Sequence, residues 1–305
     1  MSDSPMLRAR VLIPFTIATI IWGTTWIVIR DQLGTVPPTW SVAYRFAAGA
    51  VAMFAYAALT RSPFRIGRQG QIFAAIFGFA QFVLNFNFVY RAEEHITSGL
   101  VAVLFAMLLV PNALLGRLFL KQPLSSQFLA GSGVAVIGVG MLIAQEIRAD
   151  TASASATMLG VVLTLLGVLS ASAANIMQGT ARGKALPMAS TLAWGMLWGT
   201  GMNAMLALVL NGAPVFEWSA SYVGGVVYLG VFASAIAFTC YFSVIRDVGP
   251  ARAAYSSVLT PILAMIISTV VEDYRWSWLA AAGGVVALAG LLLALSARRP
   301  VAKSG

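Results

Sequence analysis

Charge is what this chain has least of. Only 10% of its 305 residues are charged, while 59% are hydrophobic; soluble domains carry about 25% charged residues. A soluble fold of this length has nowhere to hide so much apolar surface, so the solvent is lipid. Cysteine is nearly absent as well, and Cys240 alone excludes an internal disulfide and a cysteine-based metal site. No P-loop, dinucleotide fingerprint or pair of intramembrane carboxylates occurs. That argues against an ATP-driven pump and a membrane hydrolase, and it calls for neither cofactor nor metal. The apolar–polar alternation of a strand barrel is missing too.

What is present is one apolar run after another. Stretches of about 20 apolar residues, enough to cross a bilayer as helix, fall at 11–30, 38–59, 69–90, 97–117, 126–145, 157–180, 187–210, 222–245, 251–271 and 277–297. The expected fold is an all-α polytopic membrane protein of ten transmembrane helices. No small-residue cleavage site follows the first run, which reads as an uncleaved anchor. The net charge of +9 invites a nucleic-acid partner, but its distribution argues against one. With the N-terminus in the cytosol, Arg61, Arg65, Arg68, Lys121, Arg182 and Lys184 fall on the cytosolic side, and Asp31, Glu93, Glu94, Glu217 and Glu272 on the other. This is the positive-inside pattern. It places both termini in the cytosol of a cell with the chain in its inner (plasma) membrane.

The chain also repeats itself. The segment Thr97–Ala144 crosses a short polar joint at Lys121-Gln122-Pro123-Leu124-Ser125, and its shape returns from Ala251 to Leu295. Pro111 corresponds to Pro261, and an offset of 152 carries Gly131 onto Gly283 and Gly138 onto Gly290. The stretch EIRADTASASA, Glu146–Ala156, has linker composition and divides a first repeat, residues 1–145, from a second, 157–305. Five spans lie on each side. Five is odd, so the second half enters the membrane from the opposite face, giving the inverted repeat of many secondary carriers; a duplicated structural scaffold would look similar. Pro111 and Pro261 each remove a helix bond deep in a span, making either fixed kinks or hinges.

Several stretches resemble the EamA branch of the drug/metabolite transporter superfamily. They are IIWGTTWIVIR, PPTWSVAYRFAAGA, FVLNFNFVYRAEEHITSGLVAVL and YLGVFASAIAFTCYFSVIRDVGPARAAYSSVLTP. Each is short; their order, the five-plus-five layout and the repeated proline carry the resemblance from about Val11 to Leu295. It implies a ten-helix carrier with a central cavity, often an exporter of amino acids or related metabolites. The family often has Gly-Glu after the fourth and ninth spans, where this chain has Lys121-Gln122 and Val271-Glu272.

Residues that lipid would reject mark the candidate site. Arg45 lies about 10 Å deep in the second span at 1.5 Å per residue. It faces a wet cavity, ties helices together or snorkels to the surface. Trp22 and Trp26 share one face of the first span, with Thr25 beside them. Asn85 and Asn87 stand at the depth of Arg45 and point apart, and Asn85 is the inward choice because Gln81 extends its stripe. In the second half Asn175 pairs in register with Gln178, and Trp194 with Trp198. Trp194 mirrors Arg45 in depth. Tyr90, Tyr241 and Tyr255 are candidates for the cavity mouths. Glu93-Glu94-His95 reads as a solvated loop.

The expected activity is secondary transport of a small organic metabolite, most simply an amino acid, outward through a central cavity by alternating access. Arg45 would attract a carboxylate, and Trp22 and Trp194 would pack the apolar part. The alternative is a membrane-embedded enzyme or lipid-handling scaffold. The expected partners are a small-molecule substrate and the lipid bilayer, with monomer and homodimer both open. Since every acid falls in a loop or terminus, exchange or facilitated diffusion with weak dependence on a pH gradient is expected.

Overall fold

The computed structural model of the chain describes residues 9–149, 154–248, 253, 256–272 and 276–296. Helix is the regular structure among these residues, joined by short loops and turns, with no strand. Eight helices are long and apolar enough to cross a membrane: α1 Ala9–Asp31, α2 Pro38–Leu59, α3 Gly67–Ala92, α4 Ser98–Leu120, α5 Ser126–Ala149, α6 Ala154–Gly179, α7 Met188–Asn211 and α8 Ala220–Asp247. Two shorter apolar helices follow, α9 Ser256–Val271 and α10 Trp278–Leu295. A short helical turn, Ala181–Ala185, joins α6 to α7. Glu146 to Ala149 continue α5, and α6 begins at Ala154. The linker therefore shrinks at both edges, because its Glu, Arg and Ala residues are good helix formers; residues 150–153 lie outside the described set.

The helices pack in crossed pairs. α2 lies against α7, α4 against α9 and α5 against α10; α1 packs on α8 and α9, while α6 packs on α3 and α4. The tightest seam is α5–α10. A Cβ on Gly131 would fall 2.3 Å from the Ala294 nitrogen, and one on Gly138 would fall 2.2 Å from that of Ala287. Only glycine lets two backbones come so near, and close approach is how helices associate where lipid offers no hydrophobic drive. Higher numbers on α5 meet lower numbers on α10, so these two helices run antiparallel. α2 and α7 are antiparallel too, since Phe54 meets Trp194 and Ser62 bonds Ser190.

Two further glycine contacts bring α2 onto α8 and α3 onto α7. A Cβ on Gly49 would lie 3.2 Å from the Gly230 carbonyl oxygen, and one on Gly78 2.3 Å from that of Gly195. Between them sits an aromatic core: Phe46, Phe77, Phe82, Phe238 and Phe242 meet largely edge to face, with centroids 4.7–6.1 Å apart.

Two helices widen at mid-length. Phe79–Leu84 of α3 and Tyr228–Ile236 of α8 are π-helical. The Asn85 amide donates to the Ala80 carbonyl five residues back, and the Ser234 hydroxyl donates to that of Leu229. Each extra residue rotates the downstream part of the helix by ~100° relative to a continuous α-helix. α4 breaks at Met107–Leu108, just before Pro111. Pro111 has no N–H for the Met107 carbonyl, which instead accepts from Val110, three residues on. Pro261 leaves α9 continuous. Lys121 ends α4 in the left-handed region, at φ 54° and ψ 29°, where the resembled family often has glycine.

Candidate functional site

A cavity opens in the middle of the bundle. α1 contributes Trp22, Thr25 and Trp26; α2 contributes Arg45; α3 contributes Gln81, Asn85 and Phe86. Phe105 comes from α4, Asn175 from α6, Phe238 and Tyr241 from α8, and Thr260 and Pro261 from α9. The π-segment of α3 carries Gln81 and ends just before Asn85 and Phe86, and that of α8 ends just before Phe238 and Tyr241.

Among the described residues Arg45 is the one formal charge on the wall, and it is 0% exposed. Its Nε donates to the Ser234 hydroxyl at 3.0 Å, so the α8 π-segment holds it. The guanidinium carbon lies 4.2 Å from the Phe86 ring centroid and 5.4 Å from that of Phe46, a stacking geometry suited to arginine. Both Nη atoms lack a hydrogen-bond partner. The Tyr90 hydroxyl acts on the guanidinium electrostatically, but it donates to Gln32 and offers Arg45 no bond of ordinary geometry. The fork is thus gripped by its stem and face and left open at its tip.

Around it stand acceptors in the same condition. The side-chain oxygens of Gln81, Asn85 and Thr260 are buried without partners. Asn175 donates to Asn112 at 3.5 Å, tying α6 to α4 at the wall. Thr25 bonds back to the Ile21 carbonyl and lines the cavity. Asn87 turns the other way, to the Asn203 side chain and the Val83 carbonyl. The apolar wall is aromatic: Trp22 meets Tyr241 at 4.9 Å and Phe238 at 5.3 Å, and Trp26 meets Phe105 at 5.2 Å. The Trp22 indole donates to the Ala233 carbonyl within the π-segment.

Of the residues expected at the site, Arg45, Trp22, Thr25, Asn85 and Asn175 meet at this cavity, and Gln178 and Trp194 do not. The Trp194 indole donates to the Phe64 carbonyl at 2.8 Å and packs on Phe54 at the α2–α3 joint. Gln178 is buried against Gly183 of the α6–α7 turn. Counting residues inward from a surface gave Trp194 the depth of Arg45, but packing register sets the counterpart. Gly49 contacts Gly230 as Gly195 contacts Gly78, so the residue matching Arg45, four before its glycine, is Thr191. Tyr241 lines the cavity, Tyr90 is buried away from it, and Tyr255 lies outside the described residues. Sequence reasoning left out Phe86, Phe105, Phe238 and Thr260, which carry no polar or periodic signal strong enough to single them out.

The loop reading of Glu93 is corrected. α3 runs to Ala92, and Glu93 caps it with helical φ and ψ. It is 0% exposed, and neither carboxyl oxygen has a hydrogen-bond partner. Glu272, at the end of α9, has a side chain only 10% exposed and accepts from the Ser98 amide and from the Ser98 and Ser268 hydroxyls. Burial, reinforced by Glu272, pushes the Glu93 carboxyl well above the ordinary range; Arg30 and Arg45 oppose the shift.

Comparison with known proteins matches this architecture. The model of the EamA-like transporter family fits residues 10–144 and again 158–296. The chain is 28% identical over 304 residues to YedA of Escherichia coli, named an uncharacterized inner membrane transporter, covering 95% of this chain and 93% of that one. Protein PagO of Salmonella typhimurium is 23% identical, over 90% and 87% of the two chains. A protein of E. coli named a probable amino-acid metabolite efflux pump is 22% identical, over 91% and 92%. One solved crystal structure superposes with a TM-score of 0.68 at 18% identity, covering 94% of this chain and 97% of that chain, which shows a shared fold.

Proposed function

The chain belongs to the EamA-like transporter family, and from that premise we propose that it is a secondary carrier exporting small carboxylate metabolites with an apolar body, amino acids foremost. The observation that carries this reading is the Arg45 fork, buried on the cavity wall with both Nη atoms unpartnered. A carboxylate fits such a fork with two parallel bonds, strengthened where water is scarce. The free oxygens of Gln81, Asn85 and Thr260 suit an ammonium or hydroxyl group, and Trp22, Trp26, Phe105 and Phe238 suit an apolar side chain. No such convergence supports an enzyme or a lipid scaffold.

In this reading residues 1–145 and 157–305 are two inverted repeats in the inner membrane with cytosolic termini. The antiparallel α5–α10 and α2–α7 pairs support it, as do the paired glycine contacts and the two separate family matches. Alternating access would rock one repeat against the other, with Pro111 and Pro261 as pivots and the break before Pro111 already made. The test is counterflow in proteoliposomes with a panel of amino acids and their amides, with melting measured on the same preparations. Arg45→Gln should lose carboxylate transport by tenfold or more while melting close to the parent. A variant that melts like the parent and transports carboxylates at the parental rate would overturn the reading.

A further inference from the structure

Glu93 stands outside the cavity lining, and neither oxygen of its buried carboxyl has a hydrogen-bond partner. A buried carboxylate normally collects hydrogen bonds or an ion pair. Arg30, the nearest candidate, spends itself elsewhere: its Nη1 bonds the Glu93 backbone carbonyl and its Nε faces a Glu272 oxygen at 4.0 Å. Three donors at the joint, the Ser98 amide and the Ser98 and Ser268 hydroxyls, go to Glu272. Two carboxyls therefore share one end of the bundle, one fully solvated by protein donors and the other given none. A like charge beside a buried carboxyl disfavours its ionisation.

The other groups facing Glu93 can be named element by element. The charges that act on the Glu93 carboxyl electrostatically come from Arg30 of α1, Arg45 of α2 and Glu272 of α9. On its own helix Tyr90 is engaged with Gln32 and Arg91 with Thr39. Glu94 is exposed and His95 lies beside Gly160 of α6. Arg45 is the one that also lines the cavity.

We propose that Glu93 is the coupling-ion site of this carrier: it holds one proton at rest and exchanges it during transport, linked to the substrate carboxylate through Arg45. The proton passes between solvent and the Glu93 carboxyl, and no other bond changes. The linkage rests on the reading of Arg45 as the carboxylate receptor. An unoccupied Arg45 cation favours the Glu93 anion. A substrate carboxylate on Arg45 cancels that attraction, so substrate binding draws a proton onto Glu93, and by reciprocity a proton on Glu93 tightens the substrate. Substrate and proton then travel together, so the outward gradient of the metabolite drives export, an inward proton gradient opposes it, and transport depends on pH, in place of the weak dependence expected of acids in loops.

Infrared pH titration of the full chain in lipid tests the site without any substrate. The parent should show a protonated-carboxyl band persisting at neutral pH, and Glu93→Gln, an isosteric mimic of the protonated acid, should lose it. Arg45→Gln should move the loss of that band upward by on the order of one pH unit, the size of a neighbouring opposite charge. Leucine added to the parent should take up protons from a weakly buffered solution, and Glu93→Gln should bind leucine without doing so. Absence of the band, or its survival in Glu93→Gln, overturns the proton site; a band unmoved by Arg45→Gln overturns the linkage. If leucine fails to bind the parent, the substrate reading suffers, and the infrared result still decides Glu93.

Discussion

The two halves of this molecule share their packing and differ in their chemistry. α3 and α8 each bear a π-segment, and Gly78 and Gly230, each met by a glycine of α7 or α2, stand 152 residues apart, the offset that relates Gly131 to Gly283. At that offset Gln81, Asn85 and Glu93 of α3 become Ala233, Ala237 and Ile245 of α8, and by the glycine register Arg45 of α2 becomes Thr191 of α7. The second half answers with aromatic residues, Phe238 and Tyr241, and with Ser234, which holds Arg45. A scaffold that rocks needs two matching halves; a site that reads one end of a small molecule does not.

The scaffold side of the comparison breaks most violently at the seam. Gly138→Leu drives a side chain into the α10 backbone and should cost on the order of 3 kcal/mol or more, seen as loss of monodisperse protein in size-exclusion chromatography. Gly140→Leu, where a Cβ meets nothing within 4 Å, should leave folding intact.

Next comes the pair Arg45 and Thr191. Arg45→Lys keeps the charge and loses the fork, so counterflow of carboxylates should fall about tenfold with melting little changed. Thr191→Ala, which removes only a bond to the Pro187 carbonyl, should leave counterflow within about twofold. Equal losses at the two positions would show the halves to be chemically alike.

Glu93 against Ile245 separates them by pH. The folded state raises the Glu93 carboxyl above its unfolded value, so the native protein binds more protons than the unfolded chain between those two values. Stability conferred by the protonated form is complete below the unfolded range, near pH 4.3, and is lost as pH rises toward the folded value. The parental melting temperature should therefore decline with rising pH above about 4.3, and Glu93→Gln should flatten the decline.

The smallest effect distinguishes neighbours on one helix. Asn87→Ala removes the bonds to Asn203 and Val83 and should cost about 0.6 kcal/mol with no change in substrate affinity. Asn85→Ala should do the reverse, weakening binding with little change in melting.

These contrasts mark how far the sequence reaches. Helix α2 was legible to the residue, because Pro38 sits at its first turn and a largely apolar run, interrupted by Thr39, Ser41 and Arg45, continues from there to Leu59. Arg45, Trp22 and Asn85 were legible because a bilayer rejects polar groups and central indoles unless something faces them. The π-segments were not, for FAQFVL and YLGVFASAI carry no residue that demands a wider turn. Glu93 was misplaced because burial at a helix end depends on what the joint folds over, here α1 and the end of α9, distant in sequence. Trp194 was misplaced for a related reason: depth counted along one helix does not report the register between two.

The most direct measurement uses the tryptophans that line the cavity. Fluorescence of Trp22 and Trp26 should report binding of apolar amino acids to the parent, with each matching amide binding at least tenfold more weakly because it presents no carboxylate to Arg45. In Arg45→Gln acid and amide should bind alike. A parent that binds each amide as tightly as its acid, or an Arg45→Gln variant that keeps the tenfold preference, would contradict the account.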